Sequence, residues 1–242
     1  MSENAEKVLT LAASGATRMA SPDTPISSAT RVVRSIPGSS DTTVATDLAL
    51  GGYARFAPVV NLPADEPAWK RLDLTVPSAT GGMLFEWYAG GYDEVRPNVY
   101  TTELFGGNRN VHIGVDFCAP VDTSIQSFAD GVIDSLGYNA ADGDYGHVIV
   151  VRYSELRIWA LYGHLSAASI VGKAEGDAVA KGETIAWIGS EIDNGGWPPH
   201  LHFQLAITRP PTHDMPGVVT AADRAEALKK YPDPRLVCGP VY

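Results

Sequence analysis

The chain has 242 residues, 45% of them hydrophobic and 19% charged, with 18 Lys plus Arg against 28 Asp plus Glu for a net charge of −10. That composition suits one large globular domain, or a medium domain with an appendage, and excludes a collagen-like repeat or a wholly disordered chain. The negative balance repels phosphate backbones and anionic lipid, so neither a nucleic acid nor a membrane is expected as a partner; no apolar run approaches the roughly 18 residues of a membrane helix.

Residues 1–50 are rich in Ser, Thr and Ala, contain the loop cluster IPGSS at 36–40, and show weak helical periodicity, which reads as an extended or partly disordered arm. The stretch 51–78 gains Tyr53, Phe56, Val59, Val60 and Leu62 among several prolines and reads as strands or extended chain. Together they make an N-terminal extension over 1–80, a candidate cover for a domain over 81–242. The apolar stretch 8–13 is too short for a secretory h-region and follows Glu3 and Glu6 instead of basic residues, so no signal peptide and a cytosolic location are expected. The two cysteines, Cys118 and Cys238, suit a reducing compartment and read as small buried hydrophobes, with a single disulfide as the other option.

Aromatics crowd 83–105 (Met83, Leu84, Phe85, Trp87, Tyr88, Tyr92, Tyr100, Phe105) and read as core and sheet packing. From 110 to 208 the pattern is β throughout. SIQSFADGVIDSL at 124–136 alternates about an Asp130-Gly131 turn, and HVIVVRY at 147–153 is a buried β-branched run. Residues 157–165 alternate again, GDAVAKGETIAWI at 176–188 reads as two short strands about a Lys181-Gly182 turn, and HLHFQLAI at 200–207 alternates cleanly. The expected fold is mainly β, an antiparallel barrel or sandwich. Only TAADRAEALKKY at 220–231 looks helical, stopped by Pro232 and Pro234.

Six histidines carry the chemistry: His112, His147, His164, His200, His202 and His213. In H-I-G-V-D, His112 and Asp116 would stand about 13 Å apart on a straight strand rising roughly 3.3 Å per residue. They can share a metal only if the chain curls, which Gly114 between them permits. In H-L-H, His200 and His202 share a strand face, so one can bind a metal while the other stands beside it. His164, in LYGHLS, ends a strand. Two neutral imidazoles and a carboxylate are a common catalytic zinc set that leaves a fourth position for water. Cys118 is a minor alternative ligand.

HxGxD, GHLS and HLHF, in that order, resemble the zinc metallopeptidases of family M23, the lysostaphin or LytM type, over about residues 95–208. The resemblance implies zinc ligands at His112, Asp116 and His202, and catalytic roles for His164 and His200. A finer likeness is to M23-like modules in multidomain proteins that carry a class III aminotransferase. It rests on YDEVRPNVY at 92–100, NGGWPPHLHFQ at 194–204 and PDPRL at 232–236, and implies a substrate other than a cell wall. The chain departs from wall-lytic members at Trp197-Pro198-Pro199, before the H-x-H strand, and at Gln204, where a Glu is common. These departures bear on the substrate groove and leave the five site positions filled. His147, where an amide is often found, reads as a strand residue near the groove, and His213, among prolines, as solvent-facing.

What the resemblance implies is a zinc-dependent amide hydrolase in which one of His164 and His200 takes the proton from water and the other orients the water or stabilises the oxyanion, since no HExxH helix supplies a glutamate and imidazole titrates near working pH. Its substrate would be a peptide or small amide, a peptidoglycan-type peptide among them. The alternative is a zinc-binding regulatory or interaction module of the same fold without hydrolysis. A biotinyl or lipoyl carrier is disfavoured, because Lys181 lies between Ala180 and Gly182 instead of in a Met-Lys context.

Overall fold

Alternating and β-branched runs become strands, and their partners are set at long range. The computed structural model describes residues 52–76 and 86–242. The expected arm over 1–50 and the aromatic start Met83, Leu84 and Phe85 lie outside the described residues. In chain order the strands are β1 (Lys70–Leu72), β2 (Tyr88–Gly90), β3 (Glu94–Val95), β4 (Arg109–His112), β5 (Val115–Cys118), β6 (Ser124–Gln126) and β7 (Gly131–Asn139). They continue with β8 (Gly146–Tyr153), β9 (Ile158–Leu165), β10 (Ala178–Val179), β11 (Thr184–Trp187), β12 (His200–Ala206) and β13 (Val218–Thr220).

The large sheet runs β1-β2-β5-β12-β9-β8-β7-β10, a second has the order β13-β4-β3, and β11 pairs with β6. Only β1 and β2 are parallel among the described pairs. The sheets stay open, so of the expected barrel or sandwich it is the sandwich core that forms. The β6–β11 ribbon lays Ile125, Ile185 and Ala186 against Phe117, Ile149, Tyr162 and Phe203 of the large sheet. β8 is buried on both faces: Ile149, Val151 and Tyr153 enter this main core. Val148 and Val150 face a smaller cluster with Tyr145, Leu161, Ala206 and Met215. Val59 and Val60 are also core residues, and β1 extends the large sheet, so the described part of residues 1–80 is built into the domain.

One local expectation is corrected, and two pairings are decided at long range. The strands flanking Asp130-Gly131 do not pair with each other, nor do those flanking Lys181-Gly182. β6 takes β11, and β7 takes β10, so the two segments interlock. At the C-terminus the helix expected over 220–231 is shorter, because Thr220 ends β13; α1 spans Arg224–Lys230, and a second short helix, α2, spans Arg235–Cys238 beyond the prolines.

Candidate metal centre

The HxGxD segment does curl. β4 ends at His112, the Ile113 N–H donates to Gly217 O at 2.8 Å, and the chain passes Gly114 to enter β5 in a different sheet. A Cβ on Gly114 would lie 2.4 Å from His202 Cε1, so only glycine lets the turn pass under that ring. Asp116 then stands directly opposite His202 in the β5–β12 register.

The result is a cluster of donor atoms. His112 Nε2 lies 3.0 Å from His202 Nδ1 and 3.2 Å from Asp116 Oδ1, and His202 Nδ1 lies 3.1 Å from Asp116 Oδ1. Tetrahedral zinc with bonds near 2.0–2.1 Å spaces its ligand atoms about 3.3 Å apart, so the donor set fits that ion. Every other polar atom of the three side chains is committed elsewhere. His112 Nδ1–H donates to Gly91 O at 2.7 Å, and His202 Nε2–H donates to Gln204 Oε1 at 3.0 Å. Arg96 Nη1 donates to Asp116 Oδ2 at 2.7 Å. Since a carbonyl oxygen only accepts, His112 Nε2 and His202 Nδ1 keep their lone pairs, pointing with Asp116 Oδ1 at one place.

Electrostatics support neutral imidazoles beside an ionised carboxylate. Burial, aided by Arg96, lowers His112 to about 4. Burial alone would raise Asp116, yet His112 and Arg96 hold it well below the usual carboxylate range. His164 is pushed down by burial and by His200, and His200 by burial in the main.

His164 and His200 stand beside the donor cluster with ring centroids 4.3 Å apart, and His200 Nε2 is 3.9 Å from Asp116 Oδ1. His164 has a left-handed backbone, φ 63°, held by its N–H to Tyr145 O and by Gly189 N–H to its own carbonyl, both 2.9 Å. For a non-glycine this costs of order 1 kcal/mol or more, strain that breaks the strand's alternation where the ring meets the cavity. All five histidine and aspartate positions line one cavity of about 110 Å³, with Tyr100, Phe105 and Trp197 on one wall and Tyr145 and Met215 on another.

Other sequence candidates fall outside the cluster. Cys118 packs with Leu72 and Leu74 opposite His200, its thiol pushed up to about 12 by burial, and it is not among the converging donors. Cys118 and Cys238 are both free thiols. His147 stacks on Tyr138 and donates through Nδ1 to Asp193 O at 3.0 Å. His213 is half-buried over Gly137, not solvent-facing as its prolines suggest. Sequence reasoning missed Arg96, 1% exposed, and its partner Glu94, 4% exposed. Their only signal is a charged pair two apart, inside an aromatic stretch.

The open β-sandwich thus carries a His/Asp/His donor set with two flanking imidazoles in one cavity. Residues 110–213 match the model of Peptidase family M23. The chain is 32% identical over 149 residues to the DD-carboxypeptidase/endopeptidase Mpg of Neisseria meningitidis serogroup B, covering 58% of this chain and 32% of the relative. It is 29% identical over 141 residues to the peptidoglycan DD-endopeptidase ShyC of Vibrio cholerae, covering 52% and 30%. A solved structure, the catalytic domain of the antimicrobial peptidase lysostaphin from Staphylococcus simulans, aligns at 24% identity and TM-score 0.39 over 57% of this chain and 91% of that one. The chain spans about a third of the length of the curated relatives it matches.

Proposed function

We propose that the protein is a zinc-dependent peptidase of M23 type. The observation that carries this reading is the convergence of three lone pairs, from His112, Asp116 and His202, beside two further imidazoles in one cavity. When bound, zinc supplies a Lewis acid that acidifies water and polarises the scissile carbonyl. His200, nearest the donor set, takes the proton from the attacking water at Nε2. The same His200 ring then returns that proton from Nε2 to the leaving amine, while His164, on the other side of His200, accepts from the water at its own Nε2 and orients it. Acid–base assistance of this kind is worth about 10²–10⁴-fold. The buried Arg96 holds Asp116 to a single free oxygen, and the aromatic wall of Tyr100, Phe105 and Trp197 excludes water on one side.

The names of the similar proteins make a peptidoglycan-type peptide the substrate class to test first, and a non-wall peptide the second, as the likeness to aminotransferase-linked modules implies. The deciding experiment incubates zinc-loaded protein with cross-linked muropeptides, with Gly-rich peptides and with non-wall peptides. Cleavage that a chelator abolishes and zinc restores is expected in one set. Stoichiometric zinc with no cleavage in any set overturns the peptidase reading in favour of a regulatory metal module.

A further inference from the structure

The two imidazoles beside the donor set are aimed by one loop, and that loop is closed on one side chain. His164 Nδ1 lies 2.8 Å from Asn194 O, and His200 Nδ1 lies 2.7 Å from Pro198 O. Both acceptors are backbone carbonyls between β11 and β12. Asn194 is fully buried, with none of its surface exposed. Its Nδ2 donates to Trp197 O at 2.8 Å and Gly189 O at 3.4 Å, while its Oδ1 accepts from Trp197 N–H at 3.0 Å. The side chain therefore ties the loop's start to its end and reaches no other part of the molecule through these bonds.

The loop is also seated from outside. Trp197 Nε1–H donates to Gly143 O at 3.0 Å, and the Gly143 N–H donates to Gly195 O at 3.0 Å. Gly146, with φ 63°, passes so close that a Cβ there would lie 2.2 Å from Asp193 O. The Trp197-Pro198-Pro199 run is the part that presents the carbonyl to His200.

We propose that Asn194 is a positioning residue: it folds the loop so that the Asn194 and Pro198 carbonyls hold His164 and His200 with the proton on Nδ1 and the lone pair on Nε2. The proposal rests on the peptidase reading for its purpose. A base must present a lone pair; the opposite tautomer presents an N–H to the same spot and accepts nothing. A carbonyl can only accept, so the partner nitrogen carries the hydrogen. For His200 the remaining Nε2 is the atom nearest Asp116, 3.9 Å away. Two tautomers are thus set by one amide that does not line the cavity.

The test is the long-range 1H–15N correlation spectrum of the ¹⁵N-labelled, zinc-loaded full chain at pH 8, where neutral imidazole tautomers are distinguished. The wild type is expected to show His164 and His200 protonated on Nδ1 alone. In Asn194→Ala, His164 is expected to become a mixture of tautomers, with zinc stoichiometry and KM unchanged and kcat lowered about 10–100-fold, the range for lost outer-shell partners. If Asn194→Ala does not fold, Asn194→Asp, which keeps the acceptor for Trp197 N–H, is read the same way and shows a smaller shift in the same direction. Nε2–H at His164 or His200 in the wild type overturns the proposal, as does an unaltered tautomer pattern in a folded variant. The spectrum needs no substrate, so a wild type without turnover counts against the peptidase reading alone.

Discussion

His202 Nδ1 and Asp116 Oδ1 lie 3.1 Å apart across directly paired strands, although the two residues are 86 positions apart in sequence. The contact is a consequence of register. Slipping β12 by one residue against β5 would turn His200 and His202 to the opposite face and bring Leu201 into the cavity. Burial of Leu201 and Phe203 in the main core is what holds that register.

The five site positions separate into two groups by metal content. His112→Ala, Asp116→Ala and His202→Ala are each expected to lose zinc, measured by elemental analysis after gel filtration. His164→Ala and His200→Ala are expected to keep it while turnover falls by about two orders of magnitude or more, the scale of a lost acid–base group. Full zinc in Asp116→Ala removes it from the ligand set. Near-normal turnover in either His164→Ala or His200→Ala makes that ring structural.

Arg96 is the next test. It donates to Glu94 Oε2 at 2.8 Å, Tyr100 Oη at 2.9 Å and Asp116 Oδ2 at 2.7 Å, all in the interior. Arg96→Met leaves the buried Asp116 without its guanidinium partner and Glu94 with Arg71 alone, which is expected to cost about 3–5 kcal/mol in chemical denaturation. Adding Glu94→Gln removes the second buried carboxylate, whose remaining partner Arg71 is part-exposed to solvent, and is expected to recover part of that loss. A loss under about 1 kcal/mol in the single variant contradicts the buried-pair account.

Gly114→Ala is a steric probe of the centre. The added methyl meets the His202 ring at 2.4 Å, with no slack from a flexible side-chain end. Lowered zinc affinity in a chelator competition, with the β-sheet circular dichroism retained, is the expected outcome. Wild-type affinity would mean that His202 has room to move and is not fixed by the turn.

Acid should destabilise the metal-free protein before it protonates the site. His112 falls from 6.5 to about 4, and His164 and His200 are lowered in the same direction, burial being the leading cause each time. Below pH 6.5 the unfolded chain therefore binds protons that the folded chain refuses, and stability falls with pH until the folded histidines titrate, near 4 for His112. Asp116 adds to the loss only at lower pH, as its depressed folded-state value is approached. The thermal midpoint in chelator should drop steadily from pH 7 to pH 5; a flat profile over that window refutes the neutral buried imidazoles.

Period-two alternation made β7, β9 and β12 legible and an unbroken β-branched run made β8 legible, because each has one or both faces in a core and the side chains record it. Strand partners were not legible. The turns at Asp130-Gly131 and Lys181-Gly182 are local signals, whereas the pairings β6–β11 and β7–β10 are decided by packing between distant segments. At the site, residue types and spacing pointed to His112, Asp116, His164, His200 and His202, and the structure brings all five to one cavity. Glu94 and Arg96 were hidden because charged side chains are ordinarily solvated, and only the three-dimensional neighbourhood shows them neutralising each other and Asp116. Thr220 looked like the start of a helix because its following residues favour one, but its backbone is claimed by β4 through β13.

The interlocked β6–β11 and β7–β10 pairs have a consequence for synthesis. During translation β6 and β7 emerge well before the strands that complete them, and β12, which carries His200 and His202, emerges later still. A nascent chain can therefore hold His112 and Asp116 for the whole of that interval without a third donor to close the set. Such non-local closure favours slow folding. It also delays assembly of the donor cluster until nearly all of the sheet that confines it has left the ribosome.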